Sequence, residues 1–207
     1  MKVLYNALRP GYDPFQIFQK VETAYTPQDL HADGVLLLHG GEDISPSIYG
    51  QEPIDQCYAS REPAPRDVKE IALVEQAVKM GIPIIGLCRG AQLICAMDGG
   101  SLYQHCVGHA GGDHSLFDVE TEEGYVTNSA HHQVMRPREH NKIIAISQKD
   151  VMVWETSDTA IKVSAIPEIV FFPYFKALAI QGHPEWNPNP RFVQYCTSLI
   201  KNYLLKD

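Results

Sequence analysis

Apolar positions along the chain fall into short runs separated by Gly, Pro and Asn, and the period within each run distinguishes strand from helix. Lys2 to Leu8 alternates weakly and predicts a first strand, with Arg9-Pro-Gly as the turn behind it. Phe15 to Lys20 predicts a short helix, and Val21 to Tyr25 a second strand that ends at Thr26-Pro27. Val35-Leu-Leu-Leu-His39 is an unbroken apolar run, the pattern of a strand covered on both faces, and Gly40-Gly41 turns the chain behind it. Glu52 to Pro65 is polar, carries three prolines and has no period, so it reads as an excursion over the surface. A helix follows, with Asp67 as N-cap, Glu70 three residues on, Val68, Ile71, Val74 and Val78 on one face, and Gly81 as the stop.

The next stretch, Ile82-Pro-Ile-Ile-Gly-Leu-Cys88-Arg-Gly-Ala-Gln92, is an apolar run that passes through Gly-x-Cys-x-Gly into helical spacing from Ala91 to Met97. It predicts strand, sharp turn, helix. A turn this tight holds its central residue in a strained conformation, which small neighbours such as Gly86 and Gly90 permit. Strand, helix, strand in this order implies parallel pairing with a right-handed crossover, and Cys88 then sits at a strand's C-terminal end, where such sheets bind ligands. Asp98-Gly-Gly100 ends the helix. Short strands are predicted at Leu116 to Glu120, Gly124 to Thr127, Lys142 to Ser147 and Val151 to Glu155, with a polar turn from Asn128 to Gln133 between them. Ile169 to Tyr174 and Lys176 to Gln181 supply the last strands. Asn189-Pro190 caps a final helix whose Phe192, Cys196, Leu199, Ile200 and Tyr203 form a core stripe.

Two stretches carry chemistry. Cys88 falls at a helix N-terminus, where unpaired N–H groups and the helix dipole favour thiolate over thiol, although a buried structural cysteine is the equal reading from the turn alone. Near the C-terminus, Ala177-Leu-Ala-Ile-Gln-Gly-His183-Pro-Glu185-Trp runs from strand into a polar turn. Two residues apart, His183 and Glu185 lie on one face of extended chain, so the carboxylate can hold one ring nitrogen while the other faces a thiol. Cys95, one seven-residue step beyond Cys88, reads as core, and His39 as a strand-end histidine. His105-Cys106-x-x-His109-x-x-x-x-His114 contains zinc-ligand types, but its spacing matches no closed site, and Gly108, Gly111 and Gly112 suggest a loop; no metal site is expected.

Taken together, G-x-C-x-G-x-Q and H-P-E resemble the class I glutamine amidotransferase family. Leu38-His-Gly-Gly-Glu-Asp43, Ser45-Pro-Ser-Ile-Tyr-Gly50, Gly99-Gly-Ser-Leu-Tyr-Gln104, Asn128-Ser-Ala-His-His-Gln133 and Trp186 narrow the resemblance to its γ-glutamyl hydrolase branch, which includes γ-glutamyl-γ-aminobutyrate hydrolase and is of the peptidase C26 type. The resemblance runs from about Val35 to Trp186. It implies an α/β fold, flavodoxin-like, with a mostly parallel central sheet flanked by helices on both faces and a small antiparallel edge. It also implies a Cys88, His183 and Glu185 triad, an oxyanion hole from the backbone of Arg89 and of Gly40 or Gly41, and glutamyl contacts from Gln92 and from His131, His132 or Gln133. The family has Pro at the position of His39 and a longer helix ahead of Val21.

At 207 residues the chain suits one domain, 1–207. An apolar fraction of 44% with no run long enough for a membrane span, and no leader-like N-terminus, predicts a cytoplasmic protein with no membrane partner. A net charge of −8 opposes nucleic-acid binding. Five cysteines with no C-x-x-C pair read as reduced thiols. Thiol, base and backbone donors suffice for amide cleavage, so no cofactor is expected. The expected reaction is hydrolysis of a small-molecule γ-glutamyl amide through a thioester. The absence of a second domain and the N-S-x-H-H-Q and H-P-E-W features lean that way. The alternatives are a glutaminase subunit that passes ammonia to a synthase partner, or a silent binding module; a homodimer is compatible with each.

Overall fold

The computed structural model describes residues 2–186 and 189–206. Strands β1 (Val3–Ala7), β2 (Lys20–Ala24), β3 (Gly34–Leu38) and β4 (Ile84–Leu87) come first, with helix α1 (Pro65–Met80) between β3 and β4 and α2 (Arg89–Met97) directly after β4. Next are β5 (Ser101–Tyr103), β6 (Cys106–Val107), β7 (Gly112–Asp118), β8 (Gly124–Ser129), β9 (Val134–Arg136) and β10 (Lys142–Ser147). Strands β11 (Val151–Trp154), β12 (Ala160–Val163), β13 (Ile166–Phe172) and β14 (Ala177–Ile180) precede α3 (Pro190–Tyr203).

Nine strands form one sheet in the order β2-β1-β3-β4-β14-β13-β10-β7-β8. Pairing is parallel from β2 through β14 and antiparallel from β14 to β8. The expected α/β class is what is found, and its antiparallel portion extends to four further strands. β3, β4 and β14 sit mid-sheet with every residue buried, as their unbroken apolar runs require. Leu73, Val74 and Ala77 of α1 and Ala91, Leu93 and Ile94 of α2 pack into one core, while Phe192, Cys196, Leu199 and Ile200 of α3 pack into the core on the other face.

Three local expectations are corrected. Residues 15–20 form no helix, because the Asp13 carboxylate accepts the N–H groups of Phe15, Ile17 and Phe18 at 2.8, 2.7 and 2.9 Å and holds the segment as turns. Helix α1 begins at Pro65, so Asp67 is not the N-cap; it stands at the third helical position, where its side chain accepts the N–H of Ala64 at 2.9 Å. Val68 is exposed, and Glu70 is fully buried. Strand β7 starts at Gly112, not Leu116, because pairing with β8 begins there, Gly112 opposite Ser129, and runs to Phe117 opposite Gly124.

Candidate active site

The turn between β4 and α2 carries Cys88 at φ 49° and ψ −107°, a backbone conformation that L-residues avoid. Two features hold it there: the Cys88 N–H donates to the carbonyl of Ile180 on β14 at 2.8 Å, and α2 presses onto the strands without side chains between. A β-carbon on Gly90 would lie 2.6 Å from the carbonyl oxygen of Leu38, so only glycine lets the helix come this close. Cys88 is 6% exposed, whereas Leu87 before it is at 0%. The sulfur thus reaches the edge of the interior.

β14 ends beside β4 and delivers His183 to the same rim. A β-carbon on Gly40 would stand 2.7 Å from Cε1 of His183 and 3.4 Å from Cβ of Cys88, which places the Gly40 turn, the ring and the thiol in one cluster. Nδ1 of His183 lies 2.7 Å from Oε1 of Glu185, as the two-residue spacing predicts. Among the described residues Nε2 has no hydrogen-bond partner, and Cys88 stands on the same side of the Gly40 turn as the ring. Burial opposes a charge on the ring, but Cys88 and Glu185 outweigh burial and hold its pKa up at about 9. The indole of Trp186 stacks flat on the imidazole at 3.7 Å and shields it from solvent.

The first residue of α2 and the Gly40-Gly41 turn both lie beside Cys88. Arg89 is the first residue of α2, so its N–H has no acceptor within the helix. The Gly40-Gly41 turn is fixed by Arg66, whose Nη2 donates to the carbonyls of His39 at 3.0 Å and Gly40 at 3.2 Å. The Arg89 side chain points inward and forms buried ion pairs with Asp67 and Glu70. Glu70 also holds Arg66 at 2.9 Å, so one carboxylate ties the elbow to the glycine turn. His39 is no part of this: its Nε2 lies 2.6 Å from Oδ1 of Asn6, and burial lowers its pKa to about 4.

The expected glutamyl contacts are dispersed. Gln92 is buried and donates to the carbonyl of Gln133 at 3.4 Å; Gln133 is buried too, its amide directed to the Gln104 carbonyl and Cys57. His132 lies on the rim, with Nε2 2.9 Å from Asp43 and its ring 4.5 Å from the exposed Tyr58. His131 is fully interior and faces Glu168. Cys95 is core, and burial raises its thiol to about 12. A cleft of about 230 Å³ opens beside Glu185, lined by Arg9, Tyr12, His39, Gly40, Glu185 and Trp186.

Arg66, Asp67, Glu70 and Asn128 act on the site and were not read from the sequence as doing so. Asn128 stood within a motif that drew notice only for its histidines and glutamine. Its Oδ1 accepts the His183 N–H at 2.9 Å and its Nδ2 donates to the His183 carbonyl at 3.3 Å, which clamps the His183 backbone from both sides. Asn128→Ala is expected to lower kcat about 10-fold with KM nearly unchanged, the loss of one or two hydrogen bonds that orient a reacting group. Steady-state kinetics check this; an unchanged kcat would mean that Glu185 and Trp186 alone align the ring.

Comparison with known proteins gives the family. A Mycobacterium tuberculosis protein provisionally named a glutamine amidotransferase is 34% identical over 175 residues, 75% of this chain and 51% of that protein. The carbamoyl phosphate synthase small chain of Buchnera aphidicola is 25% identical over 162 residues, 78% of this chain and 34% of that one. This chain therefore spans about half or less of these curated relatives. A crystal structure of a Thermotoga maritima glutamine amidotransferase shares the fold, with TM-score 0.58 at 14% identity, over 98% of this chain and 93% of that one. The family described as Peptidase C26 matches residues 19–185, a span that takes in Cys88, His183 and Glu185, and the chain belongs to that family.

Proposed function

We propose that the chain hydrolyses γ-glutamyl amide bonds through a γ-glutamyl thioester on Cys88. The observation that carries this reading is the strained Cys88 at the foot of α2 with the His183–Glu185 pair beside it. The thiolate attacks the γ-carbonyl, and the N–H groups of Arg89 and of Gly40 or Gly41 receive the oxyanion, each such donor being worth about 3 to 4 kcal/mol of barrier. Imidazolium His183 gives its proton to the leaving amine, and water activated by the neutral ring then cleaves the thioester. Glu185 fixes the tautomer and stabilises the cation. Gln92, with His132 or Gln133, bounds the glutamyl side.

The test is a panel of γ-glutamyl compounds that differ only in the leaving amine, with glutamine among them, run beside labelling by diazo-oxo-norleucine. Turnover of at least one member and stoichiometric labelling of Cys88 are expected. Neither occurring would leave a silent binding module as the reading. Similarity to the carbamoyl phosphate synthase small chain favours a second reading, a glutaminase subunit that hands ammonia to a separate synthase. Under it, the isolated chain turns over slowly and a synthase partner accelerates it; under the first, a partner changes nothing.

The pH profile follows from His183. Its raised pKa keeps the ring protonated, and so able to act as the acid toward the leaving amine, up to about 9; above that value this proton is lost. kcat/KM is expected to fall as pH rises through about 9. Glu185→Gln removes one of the influences that raise the value, so its alkaline limb moves to lower pH. An alkaline limb that stays put in Glu185→Gln would detach it from this histidine.

A further inference from the structure

A second cluster of chemically able side chains lies in the antiparallel half of the sheet. Glu168 on β13 is fully buried, and its Oε1 stands 2.8 Å from Nε2 of His109 and 3.0 Å from Nε2 of His114 on β7. Its other oxygen, Oε2, stands 3.9 Å from Nε2 of His131. His109, His114 and His131 are 4%, 9% and 2% exposed, so all of these groups are taken out of water. The residues come from the glycine-rich loop, two strands and the turn after β8, which is why the spacing of residues 105–114 alone suggested no closed site.

The tautomer of His131 is settled by its neighbour. Nδ1 lies 2.9 Å from the carbonyl oxygen of Gln133, which can only accept, so Nδ1 carries a proton and, in the neutral ring, Nε2 presents a lone pair. That lone pair faces Oε2 of Glu168, a second acceptor, and neither atom has a hydrogen-bond partner among the described residues. Two buried acceptors aimed at each other are unfavourable unless a proton or a metal cation sits between them. An imidazole with one nitrogen tied to a backbone carbonyl and the other bare is also the arrangement of metal-binding histidines. Donor atoms of His109, His131 and Glu168 all lie within 4.8 Å of one another. Ligand atoms on a tetrahedral zinc are about 3.3 Å apart, a spacing that small side-chain rotations reach from here.

We propose that His109, His131 and Glu168 bind a divalent transition-metal ion of the zinc type. His114 holds the carboxylate in place through Oε1. Imidazole with carboxylate suits zinc, cobalt or iron(II), is too nitrogen-rich for magnesium or calcium, and lacks the sulfur that copper(I) prefers. Beside the cluster, Gln181 donates its N–H to the Glu168 carbonyl at 2.8 Å, and its buried side-chain amide is also unpartnered. The ion would brace both catalytic elements without touching reacting atoms. The Gln133 carbonyl that receives His131 also receives Gln92, one turn beyond Cys88, and Gln181 stands two residues before His183. The proposal does not rest on the amide-hydrolase reading and can fail without it.

The experiment uses the full chain and a Cys88→Ser variant, stripped with a chelator, equilibrated with zinc(II) or cobalt(II) alone, and assayed for bound metal by mass spectrometry. One ion per chain is expected in both, and the cobalt form should show visible d–d bands without thiolate charge transfer in the near ultraviolet. Glu168→Gln and His131→Ala should weaken binding by about 100-fold or more, while His132→Ala, altered on the rim, binds as the parent does. Should the first two variants fail to fold, X-ray absorption at the zinc edge of the parent decides alone, with nitrogen and oxygen neighbours expected and sulfur excluded. No retained metal, loss of metal in Cys88→Ser, a thiolate band, or unweakened binding in Glu168→Gln would each overturn the proposal and leave a carboxylate balanced by a proton on one of the rings.

Discussion

Cys88→Ala is expected to lower turnover of γ-glutamyl amides by about 10⁴-fold or more, because the remaining oxyanion donors and binding contacts cannot replace a covalent step. The fold should survive the change. Alanine is close in size to the Cys88 side chain, and the backbone at φ 49° is strained for any L-residue, so alanine inherits the strain. Glycine does not. Cys88→Gly is therefore expected to be inactive yet more stable than Cys88→Ala by about 1 kcal/mol, the reverse of the usual order for these two residues at an ordinary site. Calorimetry on the two variants reads this directly. Substantial turnover by Cys88→Ala would remove the nucleophile, and a Gly variant less stable than the Ala variant would mean that the elbow stores no strain.

What could be read in the sequence was what is local. Gly86-x-Cys88-x-Gly90 and His183-x-Glu185 each encode their geometry within a few residues, the first through steric room and the second through the period of extended chain, and both stand as read. The mid-sheet strands were legible because burial on both faces leaves an unbroken apolar run. Strands β5, β6 and β9 were not, since each is two or three residues long and exists only by pairing with a distant partner, and β12 was missed although it pairs with its neighbour β11. The same holds for polar side chains. Glu70 looks like a solvated helix residue and is buried because Arg89, nineteen residues on, meets it. Glu168 sits in an apolar strand and gives no sign of the histidines that face it. In each case the partner is supplied by topology, which the period of a segment does not report.

Arg89→Met is expected to be the most destabilising single substitution in the site. The guanidinium is 1% exposed and paired with Asp67 and Glu70, themselves at 1% and 0%, so its removal strands negative charge in the interior. Breaking a buried pair from one side typically costs about 3 to 5 kcal/mol, and for a domain of this size that lowers the melting temperature by roughly 6 to 20 °C. The penalty belongs to the abandoned carboxylates more than to the lost attraction. Adding Asp67→Asn and Glu70→Gln to Arg89→Met should therefore recover part of the stability although it deletes still more ion pairs. Activity should not recover with it. Glu70 also holds Arg66, and Arg66 holds the carbonyls of His39 and Gly40, so the triple variant leaves the glycine turn and the first N–H of α2 without their common anchor. kcat should fall more than KM rises, as befits donors that meet the substrate mainly in the transition state. A melting temperature for Arg89→Met within about 3 °C of the parent, a shift of under roughly 1 kcal/mol, would show that the elbow stands without this network.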